Sequence, residues 1–254
     1  MQFQLLLQSI IVPLLISGLA YRILHRPYTI LGITAGWLVS YFWVQGKLPL
    51  PPEQGEDSLW IFTGFAIVLV WFFSRKIQQG SLLLAFAICL LFISWPVLEY
   101  EINISFILEM LAFLIAAGVV VYAKYQNNRP AFMCAGGFTL LALITALSGS
   151  LLIGQLSASV AAAIGFFAIM EIRSGLRSQQ MQDKFFRVYM LLYLLILYLA
   201  RIFAEVDLYV VAILLAAGLS GLFARRNSAL IISLVLYAAA VALMLYQDAG
   251  SSYY

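Results

Sequence analysis

Apolar residues run along this chain in long stretches, broken at intervals by short clusters of charged or turn-forming residues. Those interruptions bound ten predicted helical spans: Phe3 to Tyr21, Tyr28 to Val44, Leu59 to Phe73, Leu82 to Leu98, Ile104 to Ala123, Ala131 to Leu147, Leu151 to Met170, Val188 to Phe203, Leu208 to Phe223 and Ala229 to Tyr246. A helix rises about 1.5 Å per residue and a bilayer core is about 30 Å thick. The shorter spans must therefore borrow flanking residues or thin the membrane, and the third, eighth and ninth are the weakest. The first span follows MQFQ directly, without the basic segment of a cleavable signal peptide, and is expected to be a mature helix.

The charges between the spans alternate. Arg22 and Arg26, Arg75 and Lys76, Lys124 and Arg129, then Arg173, Arg177, Lys184 and Arg187, and finally Arg225 and Arg226 fill the odd-numbered connections. Only Lys47 and Arg201 of the 14 basic residues fall elsewhere. The even connections and the C-terminal end carry Glu53, Glu56 and Asp57, Glu99 and Glu101, the uncharged Ser148 to Ser150, Glu205 and Asp207, and Asp248. Basic loops stay in the cytoplasm, so odd connections are expected to face in and both termini out.

Composition agrees with this reading. Hydrophobic residues make up 64% of the chain and charged ones 10%, with mean hydropathy +1.01, against about 45–50% and about 25% in soluble domains. That excludes a soluble enzyme, a nucleic-acid binder and a disordered regulator. The expected fold is an all-α integral membrane protein, a ten-helix transmembrane bundle with short loops. It forms one domain over residues 1–254, placed in a bacterial inner membrane. Cutting at Asn127 to Pro130 gives halves 1–126 and 127–254 of opposite orientation, the arithmetic of a five-plus-five inverted repeat. No residue-level match between the halves supports that symmetry.

Polar groups in hydrocarbon are costly, so each is a candidate for function. Glu109 lies five residues into the fifth span and Arg201 near the outward end of the eighth. Each would cost about 2.5–3.5 kcal/mol at a helix centre, so the two are expected to seek each other in the outer leaflet. The same depth count adds Gln8 and Gln155, giving one layer of four side chains as a candidate substrate site. Tyr189, Tyr193 and Arg201 fall on one helical face, with Tyr198 and Glu205 adjoining. The bland alternative is a structural ion pair with hydrogen-bonded glutamines that lock helices together, or an arginine that snorkels alone.

Spans six and seven, from Gly136 to Gly165, are rich in glycine, serine and threonine and are expected to form the packing centre. Gly32 and Gly36 form a GxxxG pair in span two. Pro13 is expected to kink span one beside Gln8 and Ser9, freeing a carbonyl. Cys89 and Cys134 read as packing residues. Trp37, Trp43, Trp60, Trp71 and Trp95, with Tyr21, Tyr100, Tyr122 and Tyr246, read as an interfacial belt.

Two connections are long. Gln45 to Ser58 is Pro-rich and acidic, an extended strap over the helix ends. Glu171 to Arg187 mixes cations with Met181, Phe185 and Phe186. It is expected to lie along the anionic inner leaflet or to dock a protein partner. His25 is the single histidine, so no bis-histidine haem or histidine metal cluster is expected, and Ser148 to Ser150 has no base for a serine hydrolase. No catalytic residue, metal or cofactor is expected, and the partners expected besides a solute and that protein are membrane lipids. The leading expectation is a secondary transporter or permease-like protein moving a small or amphipathic solute through the Glu109, Arg201, Gln155 and Gln8 site. Glu109 would carry a proton if Arg201 leaves it free to. The alternative is a noncatalytic membrane subunit or scaffold, and a lipid-modifying enzyme is a weaker third reading.

Overall fold

An apolar run in hydrocarbon has no water for its N–H and C=O groups, and a helix satisfies them within the run. The computed structural model describes residues 2–23, 29–46, 54–100, 103–123, 130–174, 179–223 and 226–251, and contains no strand among them. The elements are α1 (Gln2–Leu6), a π-helical turn (Leu7–Ile11), α2 (Val12–Ile23), α3 (Thr29–Gln45), α4 (Asp57–Phe72), α5 (Arg75–Tyr100), α6 (Ile104–Tyr122), α7 (Pro130–Leu147), α8 (Leu151–Ser174), α9 (Gln179–Phe203), α10 (Leu208–Phe223) and α11 (Arg226–Ser251). With α1, the π turn and α2 taken as one rod, the described residues form ten rods, one on each predicted span.

The stretches Gln4–Ile23, Arg75–Tyr100, Ile104–Tyr122 and Leu151–Met170 are long and apolar enough to cross a membrane. They point to a multi-pass membrane protein. The outward faces agree, since mid-helix Leu15, Ile88, Leu108, Ile115, Ile169 and Leu234 are all exposed. So large an apolar surface is unsuited to water. His25, Arg26, Lys47, Glu53, Glu101, Lys124, Arg129, Arg177 and Arg225, with half of the Gln45 to Ser58 strap and most of the Asn127 to Pro130 junction, lie outside the described residues. Within Glu171 to Arg187, expected to be a loop, α8 continues to Ser174 and α9 begins at Gln179.

Contacts sort the connections to two ends. At one end the Gly55 backbone lies against Phe203 of α9 and Ile93 of α5, close enough that an added Cβ would sit 3.2 and 3.5 Å from them. At the other end Gln79 of α5 donates to the Val121 carbonyl of α6 at 3.2 Å. There too Tyr21 of α2 packs edge-on against Phe166 and Phe167 of α8. Arg22, Arg75 and Lys76 share this second end. Asp57, Glu99, Glu205 and Asp207 share the first.

The centre is α9. From Val188 to Ala200 its side chains are buried without exception, behind α4, α5, α6, α7, α8 and α10. The eighth span, among the weakest as a membrane crossing, is thus the one most enclosed by other helices among the described residues. This corrects the placing of the packing centre in the α7–α8 hairpin, which pairs closely through a turn at Gly149 (φ 90°) but flanks α9. Three phenols tie α9 to three neighbours. The Tyr189 and Thr34 hydroxyls are 2.9 Å apart, Tyr193 donates to the Leu214 carbonyl at 3.1 Å, and the Tyr198 and Ser94 hydroxyls are 2.7 Å apart. The tyrosines therefore radiate to α3, α10 and α5 and do not line one polar face. Trp37 is likewise fully buried against Tyr41, so it belongs to the core and not to an interfacial belt.

Proline at 13 removes a donor, and the helix before it widens into the π turn, with the Val12 N–H reaching back to the Leu7 carbonyl. The Gln8 carbonyl accepts from the Ser40 hydroxyl of α3. This is the expected consequence of Pro13, taken up by a neighbouring helix. The GxxxG glycines make the same contact possible. A Cβ on Gly32 would come within 2.6 Å of the Ala20 Cβ, and one on Gly36 within 2.6 Å of the Pro13 carbonyl oxygen. Because the obstacle at Gly36 is backbone, Gly36→Ala should destabilise the protein by about 1–3 kcal/mol. Gly64→Ala, with nothing within 4 Å of the new methyl, should be neutral or mildly stabilising. Thermal unfolding of both variants in one detergent checks this, and equal melting temperatures would refute the close contact.

Candidate functional site

The described end of α9 is built by a tight turn. The Ala204 N–H and the Val206 N–H both return to the Ala200 carbonyl, at 3.1 and 3.3 Å. Glu205 stands between them in left-handed backbone at φ 51°. That is the reversal a glycine usually supplies after a helix, and a residue with a Cβ pays for it in strain. The turn brings the Val206 carbonyl back over the last turn of α9. Arg201 donates to it through Nη1 at 3.2 Å.

Across from this turn, Asn103 caps α6 by accepting the Ser105 N–H at 3.0 Å, and Glu109 emerges one and a half turns further on. Arg201 meets it side-on: Nε donates to Oε2 at 3.0 Å and Nη2 to Oε1 at 3.1 Å. The expected pairing of Glu109 with Arg201 is thus present, with both carboxylate oxygens engaged. The side chains are only 29% exposed for Arg201 and 14% for Glu109, so the pair joins α6 to α9 in a partly desolvated setting where two parallel bonds count.

A cavity of about 320 Å³ opens beside the pair, lined by Val97, Asn103, Ser105, Phe106, Glu109, Arg201, Ile202 and Glu205. Its size falls at the small end of ligand pockets, about 300–1,000 Å³. Of the eight lining residues, Asn103 is engaged as a cap and Glu109 by the arginine. The Glu205 carboxylate is exposed and has no hydrogen bond or ion pair among the described residues. Asp207, its neighbour, is used differently, accepting the Tyr209 N–H at 2.7 Å to start α10.

Gln8 and Gln155 do not join this site. Gln8 is buried in the π turn, which packs on α8. Gln155 sits on α8 itself, its amide nitrogen buried without a hydrogen-bond partner. Neither lines the cavity. A depth count fixes level along the membrane normal and says nothing of direction around the bundle.

One carboxylate was missed as a structural element. Asp57, expected in an outward loop, is buried at the start of α4, accepting the Tyr41 hydroxyl at 3.2 Å and the Gln54 N–H at 2.9 Å. The only signal was local: an aspartate can reach back to the N–H of the residue three positions before it, here Gln54, and so tie down the turn that starts a helix.

The chain matches no family model, and no curated protein or solved structure is similar to it. Among the described residues no group of three histidine, cysteine, aspartate or glutamate side chains could hold a metal ion.

Two predictions follow from these geometries. In a double-mutant cycle on Glu109→Gln and Arg201→Met, chemical or thermal unfolding should give a coupling of about 1–3 kcal/mol, the double variant regaining part of what either single change loses. Additive losses would mean the side-on pair carries no energy.

Beside Asp57, Glu56 is pushed above the ordinary carboxylate range, first by burial and further by the Asp57 charge. The folded chain then keeps the Glu56 proton to higher pH than the unfolded chain does. Its contribution to stability is whole below the ordinary value of about 4.3 and lost as pH rises through the raised one. Glu56→Gln should raise the melting temperature at pH 7.5 and leave it unchanged at pH 4, and a drop at pH 7.5 would contradict this.

Proposed function

We propose that this chain is a permease-like secondary transporter that crosses a bacterial inner membrane ten times. Its odd connections face the cytoplasm, its termini face outward, and it takes a small or amphipathic solute into the outward cavity beside Glu109 and Arg201. The observation that carries the reading is that cavity. A volume of about 320 Å³ lies beside the Glu109–Arg201 ion pair, and in this reading that pair sits in a membrane-spanning segment, where charged groups are expensive and so are candidates for use. The segregation of Arg22, Arg75 and Lys76 from Asp57, Glu99, Glu205 and Asp207 supports the orientation.

Solute contact in this reading falls to the groups not already committed. Glu109 is held on both oxygens, so its part is to orient Arg201. Of the five guanidinium N–H donors, three are used in holding α6 and the turn after α9, so Arg201 shapes the cavity and Glu205 is the lining group left to meet a ligand. Gln8 and Gln155 serve packing.

The scaffold reading has one specific observation in its favour. A side-on ion pair and an α9 enclosed from Val188 to Ala200 are what a rigid, noncatalytic subunit needs. The two readings separate in cells expressing the wild-type chain, Arg201→Met, or the Glu109→Gln/Arg201→Met pair. For a transporter, untargeted mass spectrometry should find a solute whose cellular level shifts with wild type and not with either variant, although both purify as monodisperse protein. No such solute, with a protein that copurifies equally with all three chains, would establish the scaffold and end the permease proposal.

A further inference from the structure

The cavity beside Glu109 has a charge that sorts its ligands, and this argument rests on the solute-binding reading above. Two carboxylates, Glu109 and Glu205, face one guanidinium, Arg201. The first carboxylate and the guanidinium cancel through two bonds of 3.0 and 3.1 Å, which leaves the described lining residues with one net negative charge, on Glu205.

The Glu205 carboxylate is the charged group in this lining that serves no structural contact among the described residues. The left-handed backbone of this residue suits glycine or asparagine. Neighbouring polar residues are occupied with capping: Asn103 on α6 and Asp207 on α10. Glu205 caps nothing and pairs with nothing among the described residues, yet it stands at the rim of the cavity. The same lining includes the apolar side chains of Val97, Phe106 and Ile202. Phe106 brings an aromatic ring to the cavity, a group whose π face attracts cations and not anions.

We propose that the cavity binds a small organic monocation, a primary amine with a short apolar substituent, whose ammonium group is held by Glu205 and whose carbon chain lies against Val97, Phe106 and Ile202. An anion would meet an arginine already neutralised by Glu109. A zwitterion could use the two remaining guanidinium N–H donors, but would have to bring its carboxylate beside that of Glu109.

The test uses the full chain in nanodiscs and three probes that share a four-carbon skeleton: n-butylammonium, butyrate and 4-aminobutyrate. Calorimetric titration should show saturable binding of n-butylammonium and none of butyrate. Glu205→Asn, which keeps a residue suited to left-handed backbone, should weaken amine binding at least tenfold without lowering the melting temperature. Glu205→Asp, which keeps the charge, should retain most of the affinity. The proposal is overturned if butyrate or 4-aminobutyrate binds more tightly than the amine. It is equally overturned if Glu205→Asn binds the amine as wild type does. In either case a saturable ligand would leave the solute-binding reading standing. If none of the three probes binds, the amine proposal falls, and the comparison of cellular solutes decides the broader reading separately.

Discussion

A helix wrapped on every side can send its hydrogen bonds only to its neighbours. That constraint on α9 organises the rest of the molecule. Association between helices in hydrocarbon gains little from burying apolar surface, because lipid tails are as apolar as leucine, so close packing and a few hydrogen bonds must hold the bundle together. The Tyr189, Tyr193 and Tyr198 hydroxyls reach α3, α10 and α5 from successive levels of one helix. Arg201 adds α6 at the end. Such bonds contribute roughly 0.6–2 kcal/mol each, so four of them, spread over four partners, fix both the rotation and the height of α9. The surrounding helices are then positioned relative to one another through it.

The same logic explains why small residues gather where they do. Most hydroxyls in the other helices return to their own backbone, as Thr63 does to Leu59 and Thr145 to Leu141, each at 2.8 Å. They remove a polar burden without tying helices together. Interhelical contact there is made by missing side chains. Gly32 and Gly36 let α3 approach α2, and the bend around Pro13 puts the Gln8 carbonyl within reach of Ser40. The periphery thus adds close approach to a few directed bonds, such as Ser40 to Gln8 and Gln79 to Val121, whereas the centre relies on the phenols of α9.

What the sequence could disclose divides along one line. Information carried along the chain was readable: each apolar run became a helix, Pro13 changed the helix that contains it, and the cost of a charge in hydrocarbon was enough to pair Glu109 with Arg201. Information about direction around the bundle was not. Leucines on α9 that face protein and leucines on α6 that face outward have the same hydropathy, so the enclosure of the eighth span was invisible, and with it the burial of Trp37. Gln8 and Gln155 were grouped with the ion pair because they share its level. Neither lines the cavity: Gln8 is buried in the π turn, and Gln155 lies on α8. The left-handed backbone at Glu205 had no signal at all, since glutamate is not a residue that announces a helix reversal.

That last feature ties the site to the architecture. The enclosure of α9 ends at its final turn, where Ile202 and Phe203 are no longer fully covered and the chain must leave the bundle. A reversal there is obligatory, because α10 returns along α9. The Glu205 turn makes it in the fewest residues and, in doing so, hands the Val206 carbonyl to Arg201. A wider loop would serve the topology equally well but would leave the Nη1 donor unsatisfied and Arg201 free to swing away from Glu109. Strain at Glu205 is therefore offset by order at Arg201. The carboxylate exposed as a by-product is, among the described residues, the one charge lining the cavity that the fold itself does not consume.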